Sequence, residues 1–179
     1  MAAKKKGLNG DQKRKILLIL RILLLTAAVL YLLFFLYNNY FVQNKVELYF
    51  ASADANYLRV EKRTIDEESD LFIQLFEELK AGPENSELTK TIPTASRLLN
   101  YELEGKLLTL NFSLELRSNH WGGSTGEIMT VYSIVNTYTA LAEVDKVRIL
   151  LDGKQVETLV GHLDLTEPLM YNQKLTEDN

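Results

Sequence analysis

The sequence contains no cysteine and only two histidines. The absence of cysteine excludes disulfide bonds, thiolate zinc sites, cysteine nucleophiles and a lipid-attachment cysteine. Positive charge is scarce after the N-terminal region, because the chain from Asn38 onward carries 13 basic and 23 acidic residues, a net charge of −10. Such an acidic body repels nucleic acid and anionic lipid, since binding to phosphates requires a basic surface. We therefore expect neutral or basic partners and a stability that comes from an ordinary apolar core.

One long apolar run, residues 16–37, predicts a membrane-spanning helix. It contains only one arginine and one threonine, and its 22 residues would rise about 33 Å as a helix, enough to cross a hydrocarbon core of about 30 Å. Six basic residues precede it, so the positive-inside rule places the basic tail, residues 1–15, in the cytoplasm. A cleaved signal peptide is the alternative, but eight apolar residues follow Ala28 and no small-residue cleavage site follows Leu36. The sequence therefore predicts a single-pass signal anchor in the cell membrane, with an extracytoplasmic domain.

The rest of the chain divides into a linker over 38–45, a folded domain over 46–168 and a flexible C-terminal tail over 169–179. Within the domain, alternation of apolar and polar residues predicts strands, the first two of which form a hairpin. The strands are expected over residues 46–50, 58–60, 99–103, 108–114 and 147–151. In the third and fourth of them, the inward side chains are expected to be Leu99, Tyr101 and Leu103, and then Leu108, Leu110, Phe112 and Leu114.

Two amphipathic helices are predicted, each beginning at a capping box, in which a hydroxyl and a glutamate three residues later satisfy the first amides. The boxes are Thr64 with Glu67 and Ser124 with Glu127. The buried face of the first helix, which Gly82 ends, is expected to consist of Leu71, Phe72, Leu75, Phe76 and Leu79. The buried face of the second is expected to consist of Ile128, Val131, Tyr132, Val135, Tyr138 and Leu141.

A tight hairpin follows the second helix and its strand. The Asp152-Gly153 pair predicts a type I′ turn, because glycine tolerates the positive φ that this turn requires. Leu163 and Leu165 are expected to close the core. The element order is then ββαββαββ, and each helix has a single apolar face. The sequence predicts an α+β fold, a two-layer sandwich of a mostly antiparallel sheet with two helices on one face, preceded by one transmembrane helix.

Four motifs in the domain resemble those of the GerM domain family of sporulation and spore-germination proteins. They are VELYFASADANYLRVEKRTI, a helix end KAGP, TIPTASRLLN, and GEIMTVYSIVNTYTALAEVDKVRILLDGKQVETLVGHLDL. The resemblance covers residues 46–168. Well-known members carry two such domains behind a lipoprotein signal, whereas this chain has one domain, no cysteine and an apolar anchor.

The resemblance implies a non-enzymatic envelope protein that acts as a scaffold or protein-interaction module, in sporulation or spore germination. GerM domains resemble the ring-building modules of sporulation and secretion machines, which implies protein partners in the envelope and self-association. No cofactor, nucleic acid or small-molecule substrate is expected. The alternative is an extracytoplasmic module that binds or senses peptidoglycan or another envelope component.

The residues that could carry chemistry have simpler explanations. Ser124, either histidine and Asp164 could form a Ser-His-Asp set, but the capping box accounts for the serine and no G-x-S-x-G elbow is present. A two-histidine metal site lacks the spacing of known motifs. Glutamates on or near the strands are expected to be solvated rather than a glycosidase pair. The glycines before the second helix lack the lysine of a phosphate-binding loop. We predict no catalytic, metal or cofactor site.

The most site-like segment is the loop over 117–123, between the fourth strand and the second helix. It contains the only tryptophan of the chain. Trp121 could pack against the second helix and complete a small core, or it could anchor a partner, as tryptophans often do at interfaces. The candidate partner contacts are Arg117, Asn119, His120 and Trp121.

Overall fold

A computed structural model describes residues 9–41, 45–66 and 68–176 of the chain. They fall into two compact units, Met1–Gln43 and Asn44–Asn179. Four predicted features lie partly outside the described residues: the first lysines of the basic tail, the linker at 42–44, Glu67 of the first capping box, and tail residues 177–179.

The first unit is built on a single helix, α1, over Gly10–Phe41. Its segment Gly10–Tyr37 has a mean hydropathy of 2.7, and none of its most apolar stretch is buried within the protein. It is thus longer than the predicted span, because polar residues on the N-terminal side continue the helix. Its length and composition allow it to cross a membrane, and they are equally those of an N-terminal signal sequence.

The described residues of the second unit, 45–66 and 68–176, form seven strands and three α-helices. In chain order these are β1 (Lys45–Ser52), β2 (Leu58–Thr64), α2 (Leu71–Ala81), β3 (Leu88–Thr89), β4 (Leu98–Glu104), β5 (Leu107–Phe112), α3 (Glu115–Ser118), α4 (Ser124–Thr139), β6 (Lys146–Leu151) and β7 (Lys154–Gln155). A short 3₁₀ turn follows at Gln173–Leu175. The predicted α+β class is confirmed.

The strands form two sheets rather than one. The first has the order β2-β1-β3 and is antiparallel, and the second has the order β4-β5-β6-β7. In the second sheet β5 and β6 are parallel, while the other pairs are antiparallel. The parallel pair arises because α3 and α4 lie between β5 and β6 in the chain, and a crossover of this kind returns the chain in the same direction.

Helix α4 is buried on nearly every side, whereas the sequence predicts a single apolar face. Ten of its 16 residues are buried, and half of those ten are polar or charged. The buried polar residues are Glu127, Thr130, Ser133, Asn136 and Thr137. A buried polar group is costly unless it is hydrogen-bonded, so the partners of these five side chains decide where the helix can lie.

The polar side chains of α4 bind the backbones of neighbouring segments. At β1, Thr137 Oγ1 accepts a hydrogen bond from the Tyr49 amide (3.0 Å), and Ser133 Oγ donates to the Tyr49 carbonyl (2.5 Å). Thr130 Oγ1 donates to the carbonyl of Thr91 (2.6 Å). These bonds take the place of a neighbouring strand along this part of β1, since both backbone groups of Tyr49 are satisfied by the helix.

Strand β1 is consequently buried on both faces. One face contributes Leu48 and Phe50 to the main core, which also contains apolar residues from α2, α4, β5 and β6. The other face contributes Tyr49 and Ala51 to a smaller cluster with Met129 of α4. The alternation of apolar and polar residues predicted from this stretch is therefore wrong for Tyr49.

A half-buried ion-pair network fixes the C-terminal end of α2. Arg63 of β2 binds Glu61 (2.5 Å), Glu78 (2.6 Å) and the Gly82 carbonyl (2.6 Å), and its guanidinium lies 5.5 Å from the centre of the Phe50 ring. Burial alone would raise the pKa of Glu61, but amides of the loop after α2 and the Arg63 charge outweigh it and hold that pKa below its usual value. The predicted helix end at Gly82 is confirmed, with φ at 95°.

Several local predictions are wrong at the ends of elements. Helix α2 begins at Leu71 with Asp70 as its cap, rather than near Thr64. Strand β5 ends at Phe112, so Leu114 is exposed and Ser113 is buried. The hairpin at Asp152-Gly153 is confirmed by positive φ values of 46° and 73°.

Two further predicted core assignments fail. Leu99 and Leu103 of β4 are largely exposed, because the register shifts between Leu98 and Asn100 and β4 lies at the edge of its sheet. Tyr57 is likewise exposed, at the turn between β1 and β2. By contrast Leu165 is buried as predicted.

Ser133→Ala tests the bonds between α4 and β1. We expect it to lower the free energy of unfolding by about 1–3 kcal/mol, because the buried Tyr49 carbonyl loses its donor. The measurement is urea unfolding of the full-length protein in detergent, followed by circular dichroism. Thr139→Ala is the control, since Thr139 bonds only to Val135 within its own helix (2.7 Å) and should change stability by less than about 0.5 kcal/mol. Equal losses for both variants would contradict this account.

Candidate functional site

Glu127 anchors a segment that is distant in the sequence. Its side chain is fully buried. Oε1 accepts hydrogen bonds from the amides of Leu159 (2.7 Å) and Val160 (2.9 Å), and Oε2 accepts one from the amide of His162 (2.7 Å). The predicted capping box is therefore wrong: α4 begins at Ser124 after Gly123, without a side-chain cap. Three amides compensate the burial of one carboxylate, and they fix the 158–162 loop against α4.

Arg117 holds the same loop by its carbonyl groups. Its Nε donates to the carbonyl of Leu159 (2.7 Å), and its Nη2 donates to that of Thr158 (2.6 Å). The 158–162 loop thus has its amides bound by Glu127 and its carbonyls bound by the guanidinium. The guanidinium of Arg117, a predicted partner contact, is therefore hydrogen-bonded within the protein, where it supports the 158–162 loop.

His120 is the second supporting residue. Its Nδ1 accepts a hydrogen bond from the Gly122 amide (2.9 Å), which leaves the proton of the neutral ring on Nε2. Nε2 donates to Thr130 Oγ1 (3.0 Å), whose own proton goes to the Thr91 carbonyl. Burial lowers the pKa of His120 below its usual value, although Glu127 acts in the opposite direction. The ring is therefore neutral at pH 7 and links the loop to α4.

Trp121 lies flat on this support. Its ring is stacked on that of His120, with centroids 5.1 Å apart and planes inclined by 23°. A Cβ added at Gly126 would lie 3.1 Å from the indole, a tight contact that would require the ring to shift, so the glycine favours its close approach to the first turn of α4. Yet 55% of the Trp121 surface remains exposed. The residue packs against the second helix, as one interpretation of the sequence expects, and it also presents an exposed aromatic surface.

The four predicted contact residues thus divide into two pairs. Arg117 and His120 are internally bonded supports, whereas Asn119 and Trp121 are exposed. The exposed pair, with the supporting ring of His120, is called the Trp121 platform below. Their role as partner contacts stays a prediction. The support by Glu127 was missed, although the residue lies one helical turn before Val131, on the stripe that also carries Tyr138.

Two of the residues considered for chemistry, His120 and Asp164, are already hydrogen-bonded. Asp164 accepts from the amide and hydroxyl of Thr166 (2.8 and 2.6 Å), and both nitrogens of His120 are engaged. The His162 side chain is exposed. Within residues 9–41, 45–66 and 68–176, no cluster of three histidine, aspartate or glutamate side chains is placed to hold a metal ion. One cavity of about 370 Å³, lined by the start of β1, the segment between β2 and α2, and the turn after α4, includes none of the four predicted contacts.

Comparison with known proteins gives one family and several similar structures. A family model described as Germane, sporulation and spore germination, matches residues 47–157. No curated protein sequence matches the chain. The chain is similar to the crystal structure of a protein described as a lipoprotein from Clostridium perfringens, with 25% identity, 75% of this chain and 93% of that chain covered, and a TM-score of 0.53.

Two further structures come from the sporulation protein GerM of Bacillus subtilis. Its tandem GerMN domains are 20% identical, with 70% of this chain and 45% of that chain covered and a TM-score of 0.62. Its first GerMN domain is 19% identical, with 73% and 98% covered and a TM-score of 0.58. At these identities the two structures show a shared fold.

Glu127→Gln should loosen the 158–162 loop. One of the three amides would then face an NH₂ group instead of an oxygen, so we expect a loss of about 1–3 kcal/mol in the free energy of unfolding. Hydrogen exchange should also become faster at the amides of Leu159, Val160 and His162. Glu143→Gln, which makes the same charge change at an exposed residue, is the control. Unchanged exchange at the three amides would contradict the assignment.

Protonation of His120 should disturb the Trp121 platform. An imidazolium carries a proton on both nitrogens, so its Nδ1 cannot accept the hydrogen bond from the Gly122 amide. Its positive charge would also lie against the indole ring of Trp121. We therefore expect the fluorescence of the single tryptophan to titrate with a midpoint below the usual histidine pKa of about 6.5. Because this pKa is lowered in the folded state, the stabilising contribution is complete above pH 6.5 or so and is lost as the pH falls toward the folded value. His120→Gln should abolish the transition, and His162→Gln should leave it; a transition that survives His120→Gln would contradict the model.

Proposed function

This chain belongs to the Germane family of sporulation and spore germination, and from that premise we propose that it is a non-enzymatic, membrane-anchored envelope protein. Its folded domain, residues 46–168, would act as a scaffold or protein-interaction module. The family supports a role associated with sporulation. The similar structures, one from a lipoprotein and one from a sporulation protein, favour an envelope location.

Helix α1 supplies the anchor in this proposal. Its apolar stretch is long enough to cross the membrane, and the basic residues before it favour a cytoplasmic N-terminus. The domain would then lie outside the cytoplasmic membrane. The absence of cysteine leaves α1, rather than a lipid, as the means of attachment.

The observation that carries the proposed interaction role is the Trp121 platform. More than half of the only tryptophan is exposed, although its ring is stacked on His120, which two hydrogen bonds hold in place. A large side chain that is already ordered loses little conformational entropy on binding, which is why such residues dominate the energetics of interfaces. The net charge of −10 after residue 37 favours a neutral or basic partner.

The experiment is crosslinking and affinity isolation of the full-length protein from sporulating and vegetative cells. We expect defined protein partners in sporulating cells, and at least a tenfold lower recovery of them with Trp121→Ala. Tyr57→Ala is the matched control, because Tyr57 is another exposed aromatic residue, 44% exposed, outside the platform. Identical partners and recovery in both cell types, or the same loss with both variants, would contradict the proposal.

A second candidate function rests on the same exposed indole. Its free face could stack on a sugar ring, as expected of a module that binds peptidoglycan. Titration of the full-length protein with soluble peptidoglycan fragments, followed by tryptophan fluorescence, separates the two. Saturable binding that Trp121→Ala removes and Tyr57→Ala does not would favour the ligand-binding function over the scaffold.

A further inference from the structure

The outer face of the second sheet carries a segregated set of charges. Side chains of the paired strands alternate, and those facing away from the core include Glu102 and Glu104 on β4 and Lys146 and Arg148 on β6. Glu102, Glu104 and Lys146 are exposed and Arg148 is half-buried. Acidic groups thus lie along one side of this face and basic groups along the other, with the uncharged β5 between them.

The strand register aligns these charges in two rows. Glu104, Leu107 and Lys146 form one row across β4, β5 and β6, and Glu102, Thr109 and Arg148 form the next. Acid and base in a row are separated by two strand spacings, about 10 Å, which is too far for an ion pair. Among the residues that the structure describes, none of the four charged side chains has an ion-pair partner, and the buried Nε of Arg148 has no acceptor.

We propose that this face binds a second copy of the chain. In this dimer a two-fold axis runs parallel to β5, in the plane between the two faces. Each row of one copy then lies opposite the same row of the other, and β4 of each copy lies opposite β6 of the other. Glu102 of each copy then faces Arg148 of the other, and Glu104 faces Lys146. Thr109 faces its own counterpart near the axis. The arrangement is self-complementary, as an isologous interface requires, and no other partner needs to be assumed to satisfy all four charges.

The size of the face predicts a weak dimer. Four strands of up to seven residues span about 20 Å by 20 Å, or roughly 400 Å² on each copy, half of the 800 Å² or so that is usual for a stable interface. The contacts are largely electrostatic, so they should weaken as salt screens them. Attachment to one membrane would raise the effective concentration of the copies and favour pairing. The surface shares no residue with the Trp121 platform, so this inference does not depend on the proposed function.

The absence of cysteine makes the face easy to probe. A cysteine introduced by Thr109→Cys would be the only one in the chain and would lie near its counterpart in the dimer. We expect a short bismaleimide to crosslink the full-length variant in nanodiscs that hold several copies, and 1 M salt to reduce the yield at least fivefold. Thr125→Cys, an exposed position on α4, is the control. Equal yields for the two cysteines, or yields that do not respond to salt, would overturn the proposal.

Charge reversal gives the decisive result. In the Thr109→Cys background, Glu102→Arg and Arg148→Glu should each lower the crosslinking at least fivefold, because each variant then faces a like charge. An equimolar mixture of the two should recover the yield, since the heterodimer restores both pairs. Glu84→Arg, at an exposed residue away from the sheet, should have no effect. No recovery in the mixture would overturn the proposal. The milder Glu102→Gln should give an intermediate yield, and tryptophan fluorescence checks that each variant is folded.

Discussion

The second unit depends on hydrogen bonds from the side chains of one helix to the backbones of other segments. Helix α4 binds β1 through Ser133 and Thr137, the segment before β4 through Thr130, and the 158–162 loop through Glu127. Asn136 adds two bonds to the backbone of Asn172 (2.9 and 3.3 Å). A helix with one apolar stripe would cover a sheet from outside. This helix instead lies where strands would otherwise continue, and it satisfies backbone groups that they would have paired.

The elements themselves could be predicted from periodicity, because that signal depends on which side chains meet the core. The apolar face of α2 and the hairpin at Asp152-Gly153 are in place as the pattern predicts. Periodicity fails where burial is polar. In α4 the pattern identifies Val131 and Tyr138 but cannot show that the residues between them are also buried, since their partners come from distant parts of the chain. The division into two sheets also depends on these polar contacts between distant segments, because α4 binds the backbone of β1 where another strand would otherwise pair.

For the candidate site, the sequence identifies the loop over 117–123, but it does not show which of its residues are exposed and which are bonded internally. Composition identifies Trp121 as the unusual residue of the segment. Whether Arg117 and His120 are exposed or internally bonded depends on contacts with residues 41 positions and 10 positions away, respectively. Glu127 shows the limit most clearly, because its spacing from Ser124 fits a local cap while its actual partners begin 32 residues later. A local sequence pattern cannot show whether a glutamate accepts hydrogen bonds from amides of its own helix or from amides of a distant segment.

The anchoring of the 158–162 loop on Glu127 bears on how the protein folds as it is made. The family model ends at residue 157, just before the amides that compensate this carboxylate. During synthesis, α4 therefore emerges before the amides that compensate Glu127, and this acid cannot be buried with its partners until the 158–162 loop has followed. Contacts that join segments so far apart form late, because the intervening loop must close first. The 158–162 loop thus completes the packing around α4, because it supplies the hydrogen bonds to a carboxylate that is fully buried in the folded domain.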